Sequence, residues 1–176
     1  MRMCAHLAPR VLVVGVGNAY RSDDAVGLIA ARQIAARHLP NVQVVEASGE
    51  GAALIETWRD AEVVVLIDAV HATRGALPGT IFRFDAHVQS LPANFFHYST
   101  HAFGVAEAIE LARALNQLPP RLMVFGIEGK LFDAGVGLSI EVERAVRSVV
   151  RRVRRSIRFA LTVTERSGIG LATRSD

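Results

Sequence analysis

Cysteine is nearly missing from this 176-residue chain: Cys4 stands alone. A single thiol excludes an internal disulfide, cannot by itself build a structural zinc site, and suits a reducing compartment. It lies ahead of the first expected strand with no evident partner, and no Ser-His-Asp or Cys-His combination presents itself either. Long apolar runs are absent too. None reaches the roughly 18 residues that a membrane helix needs, and residues 1–10 are interrupted by His6, Pro9 and two arginines. Nor is there an internal repeat, a low-complexity tract or an interdomain linker. These absences lead to the expectation of a soluble, cytoplasmic protein without a membrane partner. With 51% hydrophobic residues, the chain is long enough for one full core and too short to expect two. We expect a single domain over residues 1–160 and a partly flexible tail over 161–176.

The formal charge of +3 is unevenly placed. Residues 1–140 hold 11 Lys+Arg against 13 Asp+Glu, whereas residues 141–176 hold 9 against 4. The basicity therefore belongs to the end of the chain. There Arg144, Arg147, Arg151, Arg152, Arg154, Arg155 and Arg158 alternate with Val142, Val146, Val149, Val150, Val153 and Ile157 at helical spacing. That pattern gives a helix with one buried face and one solvated arginine face; the alternative is an electrostatic docking strip for nucleic acid or an acidic protein surface. No aromatic interleaving or nucleic-acid motif accompanies it, so no nucleic-acid partner is expected.

Apolar β-branched runs alternate with helical patterns along the rest of the chain, the mark of a layered α/β domain. Strands are expected at about 10–17, 42–47, 62–69, 79–85 and 121–127. Helices are expected at about 23–38, 51–60 and 100–115, with a long final one opening near Ser139 and residues 168–176 as a frayed polar tail. The first three strands form two βαβ units. The link from the third strand to the fourth, Thr73-Arg-Gly-Ala-Leu-Pro-Gly79, is too short for a helical crossover, which makes the fourth strand antiparallel. The expected architecture is a three-layer αβα sandwich around a five-stranded, mostly parallel, twisted sheet.

Three places set a metal-capable side chain just beyond an apolar run. Gly15-Val16-Gly17 after the first strand resembles a dinucleotide-binding turn, with Glu46 in the place of a ribose-binding acid. However, Tyr20 stands where the third glycine belongs, and Asp23 and Asp24 at the expected helix start would repel a pyrophosphate. Taken alone, that stretch is equally a helix start in which Ser22 caps and the two aspartates complement the macrodipole. Asp68 ends a strand apolar enough to be central, so its carboxylate either caps its own turn or serves at the sheet's open C-terminal rim. His101 follows Ser99-Thr100, whose hydroxyls are expected to cap the third helix. A first-turn imidazole is favoured in its neutral, ligating or proton-accepting form. His71, His87 and His97 are rival imidazoles in loops, better read as solvated or turn-bonded.

The ordered set of Gly15-Val-Gly-Asn18, Asp23-Asp24, Gly27, Asp68-Ala69, Ser99-Thr-His101, Gly104, Gly126-Ile-Glu128 and Gly137-Leu-Ser139 resembles the hydrogenase maturation protease family over about residues 10–157. The resemblance implies a five-stranded sheet between helices. It also implies an endopeptidase that removes a C-terminal extension from the large-subunit precursor of nickel-iron hydrogenases once the metal is in place. It carries the family's metal-binding positions to Asp24, Asp68 and His101, which would read nickel carried by the precursor and take part in catalysis; no organic cofactor is implied. Two carboxylates and one imidazole form a donor set suited to nickel or zinc with open positions. Asp23 or Asp68 could then serve as general base if burial raises its pKa. Ala25, where many members have Gly, and Gly129, where some have Pro, depart from the pattern without touching the three positions. A nickel-handling chaperone or a nucleotide-binding module is the alternative from another class.

Overall fold

The computed structural model of the chain describes residues 11–71, 75–91 and 103–169, with side chains as far as 162. Five strands form one sheet: β1 Val11–Val16, β2 Val42–Ala47, β3 Val63–Val70, β4 Ile81–Asp85 and β5 Arg121–Glu128. Their order across the sheet is β2-β1-β3-β5-β4. The first four in that order run parallel, and β4 is antiparallel to β5 with Ile81 opposite Ile127 and Asp85 opposite Met123. The short connection after β3 thus has the consequence expected of it. The chain turns directly back onto the sheet edge instead of crossing over.

Four helices cover the sheet: α1 Val26–Ala35, α2 Gly51–Trp58, α3 Val105–Ala114 and α4 Ile140–Ile169. The period of two along each strand divides the core into two layers. Val11, Val13, Val63, Val65, Ile67, Phe125 and Ile127 face α1 and α4. Leu12, Val14, Val64, Leu66, Leu122 and Val124 face Leu54, Trp58, Ile109 and their neighbours on α2 and α3. All eight residues of β3 are buried, as an inner parallel strand covered on both faces must be. An Ile67→Ala cavity in this doubly covered strand would cost about 2–5 kcal/mol. Gly27 lets α1 seat itself across β1 and β3, because a Cβ there would come within 2.2 Å of the Val16 carbonyl oxygen and 2.3 Å of that of Ile67.

Three helix boundaries differ from expectation, each for a local reason. The segment after β1 is a 3₁₀ turn, Ser22–Ala25, before α1 proper. Ser22 sits at φ +49° and makes no cap bond; its hydroxyl donates to the Asp133 carbonyl at 3.2 Å. At the far end of α1, the left-handed φ of +45° at His38 belongs to the turn that follows the helix. Helix α3 begins at Val105 with Gly104 as its N-cap residue, and the Glu107 carboxylate accepts from the Gly104 N–H at 3.1 Å. The helix expected to open near Thr100 thus begins at Val105; Ser99 and Thr100 lie outside the described residues. Helix α4 continues to Ile169, beyond the domain end expected at residue 160. No helix among the described residues is long and apolar enough to cross a membrane.

Candidate active site at the sheet rim

Strand β1 is flanked by β2 on one side and β3 on the other, and the chain reaches those neighbours through helices on opposite faces. In such sheets the crevice beyond the C-terminal ends of the two diverging strands is where ligands bind. Both candidate carboxylates flank that crevice. Asp68 lies in β3 in register with Gly126 of β5, on the face that carries α2 and α3, and only 7% of it is exposed. Asp24 lies in the 3₁₀ turn beyond β1 and is half-buried. The turn is held close by Gly17 at φ +146°, where a Cβ would fall 1.8 Å from the Asp24 carbonyl oxygen.

The two carboxylates feel each other. Burial pushes the Asp68 carboxyl well above the ordinary range, and the negative charge of Asp24 pushes it further; the Ala69 N–H at 2.8 Å offsets this in part. Burial raises Asp24 as well, countered by the Arg21 guanidinium and a hydrogen bond from the Asn18 backbone. Among the described residues, the Ala69 N–H is the protein donor to Asp68. Two mutually repelling carboxylates, one of them buried with so little compensation, make a place that a proton or a divalent cation would stabilise.

Asp23, next in sequence to Asp24, has the opposite role. It is fully buried, and its oxygens accept from the backbone N–H groups of Lys130 and Leu131, each at 2.9 Å, and from the N–H and hydroxyl of Ser139 at 2.7 and 2.9 Å. It is committed to these four donors, which argues against its candidacy as a general base; it stands with Asp24 in the first turn of the 3₁₀ segment. It fastens the 130–139 loop to the Asp24 turn. Backbone bonds from Ser22 to Gly135 at 3.0 Å and from Gly135 to Tyr20 at 2.9 Å extend the seam. The Gly137-Leu-Ser139 motif was a visible signal of this loop, but nothing in a single sequence links Ser139 to Asp23.

His101 and His97 lie outside the described residues. Among the described residues, no group of three or more His, Cys, Asp or Glu side chains is arranged to hold a metal ion. His87 lies exposed in the turn after β4, and its Nε2 is 2.8 Å from the carbonyl oxygen of the distant Pro119. His71 has a less ordinary setting at the end of β3. Its Nδ1 is 3.3 Å from the carboxylate of the buried Glu128, and its ring meets Phe132 edge-on with centroids 6.2 Å apart. The Phe132 carbonyl in turn accepts from Arg21 at 3.1 Å. The rim thus carries an oriented imidazole that the solvated-loop reading of His71 did not foresee.

The hydrogenase maturation protease family profile matches residues 28–156. The chain belongs to that family. The hydrogenase 2 maturation protease of Escherichia coli is 26% identical to it over 152 residues, covering 85% of this chain and 91% of the relative. Among solved structures, the NiFe hydrogenase maturation protease HybD from Thermococcus kodakarensis superposes with a TM-score of 0.67 at 28% identity, covering 83% of this chain and 97% of that one. The E. coli hydrogenase maturating endopeptidase HybD, with a TM-score of 0.70 at 20% identity over 86% and 93% of the two chains, shares the fold. The chain is accordingly a hydrolase, an endopeptidase of hydrogenase maturation.

Proposed function

We propose that this endopeptidase removes the C-terminal extension of a nickel-iron hydrogenase large-subunit precursor, and that it does so after nickel has been inserted. Asp24, Asp68 and His101 would meet the nickel that the precursor carries, so the metal belongs to the substrate and is no resident cofactor. The observation that carries this reading is the Asp24–Asp68 pair: a buried carboxylate raised by its own burial and by a second carboxylate, at the crevice where this class of sheet binds ligands. A divalent ion would relieve both causes at once, and a precursor without one would leave the repulsion in place. Cleavage then waits for nickel because the ion completes the electrostatics of the rim.

The placement of α3 supports His101 as the third group. Phe103, two residues beyond it, accepts at its carbonyl from the Gly51 N–H at 3.0 Å, which ties the approach to α3 to the start of α2 on the face that Asp68 occupies. Hydrolysis adds water across the peptide bond, the hydroxyl going to the carbonyl carbon and a proton to the leaving nitrogen. In this division of labour the chain's carboxylates and imidazole hold the ion and orient the peptide, while Asp23 fixes the turn that presents Asp24. We place the protein in the cytoplasm with its precursor.

The test is incubation of the protein with nickel-loaded and nickel-free precursor, reading the mass of the large subunit. Loss of the C-terminal extension from the loaded precursor alone is the expected result. Equal processing of both would remove nickel recognition, and processing of neither would remove the substrate assignment.

A further inference from the structure

The outer face of α4 takes no part in the site described above. Its inner residues, Val142, Val146, Val149, Val150, Val153 and Ile157, are buried against the sheet. Its outer residues, Arg144, Arg147, Arg151, Arg152, Arg155 and Arg158, are exposed. No acidic residue occurs between Glu143 and Glu165, and no ion pair among the described residues uses an α4 arginine. An ordinary solvated helix face mixes charges of both signs and gains i,i+4 pairs from doing so. This face instead concentrates one sign, which repels itself unless something neutralises it.

The direction of the helix adds meaning. It starts beside Ser139, which is bonded to Asp23 at the rim, and at residues 155–160 it reaches Arg121, the first residue of β5, at the opposite end of the sheet. From Arg144 to Phe159 the rise is about 22 Å. At that lower end lies a pocket of about 380 Å³ lined by Arg83, Arg121, Arg155, Met123, Phe159 and Asp85, among others. Three guanidinium groups there face one carboxylate. Phe159, 71% exposed, forms an apolar lip.

We infer that this face and its terminal pocket are a docking surface for an acidic protein segment that carries an apolar side chain. Charge complementarity selects the acidic partner, and the Phe159 and Met123 walls of the pocket, which has room for an apolar side chain, select the apolar residue. Protein is favoured over nucleic acid, because Asp85 would oppose a phosphate in the pocket and one phenyl ring is not a stacking platform. Resting on the function proposed above, the segment belongs to the large-subunit precursor. The track leads from the rim, so a partner held there can extend its tail to Asp24 and Asp68.

The probe is a short peptide of glutamates around one leucine, tested for binding to the full chain and for competition with nickel-loaded precursor. The exposed-face variant Arg151→Glu/Arg155→Glu/Arg158→Glu should bind the peptide at least about tenfold more weakly, with a flatter salt dependence and an unchanged melting temperature. Changing the peptide's leucine to alanine should weaken binding to the wild type and make little difference to Phe159→Ala. Equal binding by wild type and triple variant overturns the proposal. So does tighter binding of an oligonucleotide of equal charge, or precursor processing that the peptide does not inhibit. If the peptide binds through α4 while neither form of precursor is processed, the docking surface stands and the proposed function fails.

Discussion

Asp23 and Asp68 are both buried aspartates near one sheet rim, yet their surroundings differ in kind. Asp23 is enclosed by four donors fixed in the 130–139 loop. Asp68, among the described residues, has its neighbour's N–H and the unfavourable charge of Asp24. A buried carboxylate whose compensation is complete within the fold is a structural fastening. One whose compensation among the described residues falls short offers a place for a positive partner. The comparison separates the two aspartates by solvation, although both are Asp, both are buried, and Asp23 even adjoins a candidate ligand.

The largest effect should come from removing the group proposed to complete the deficient site. His101→Ala should abolish precursor processing, to below about one hundredth of the wild-type rate, more than loss of a typical outer-shell partner. His101→Gln should fail as well, since it retains a hydrogen-bonding tip without the imidazole nitrogen, whereas His97→Ala should be tolerated. Quantitative mass spectrometry of the large subunit reads all three. An active His101→Ala alongside an inactive His97→Ala would reassign the third group.

Next in size is the fastening itself. Asp23→Ala removes the acceptor of the Lys130, Leu131 and Ser139 N–H groups and leaves a cavity at a fully buried position, and should cost about 2–4 kcal/mol in urea unfolding. A loss under about 1 kcal/mol would mean that the loop finds other partners, and the contrast with Asp68 would weaken.

Removing the charge of Asp68 should change stability in the opposite direction to Asp23→Ala. The folded-state pKa of Asp68 is raised above the ordinary 3.8, so between the two values the native state binds more protons than the unfolded one. Stability is therefore lost as pH rises through that window. Asp68→Asn cannot ionise and escapes the loss, so it should melt higher than wild type at pH 7, by roughly 2–4 °C per kcal/mol relieved. The advantage should vanish as pH falls to 3.8 and below. An equal or lower melting temperature at pH 7 would show that Asp68 is compensated as Asp23 is. The smallest effect is expected for His87→Ala, which removes one bond to the Pro119 carbonyl and should cost about 1 kcal/mol with processing intact.

Much of this arrangement is legible in residue order, and its gaps have physical causes. The β-branched runs at 42–47 and 63–70 announce strands because an inner parallel strand must be apolar on both faces. The short Gly/Pro link after β3 announces the antiparallel edge because no crossover fits in it. Asp24 could be placed beyond β1 from its position after that strand, and Asp68 near the C-terminal end of β3, within which it lies. The role of Asp23 could not, since its donors come from residues 107 to 116 positions away. The start of α3 was misplaced because two hydroxyls at Ser99-Thr100 make a stronger local signal than Gly104, whose cap depends on Glu107 reaching back. The Glu128 partner of His71 was hidden for the same reason as the donors of Asp23: it arrives from another strand.

The most direct measurement is the processing of nickel-loaded precursor by Asp68→Asn, taken with its thermal unfolding at pH 7. If Asp68 is the under-compensated carboxylate that meets the ion, this variant will be at least as stable as the wild type and will leave the C-terminal extension uncleaved. A stable Asp68→Asn protein that processes the precursor at the wild-type rate would contradict the account.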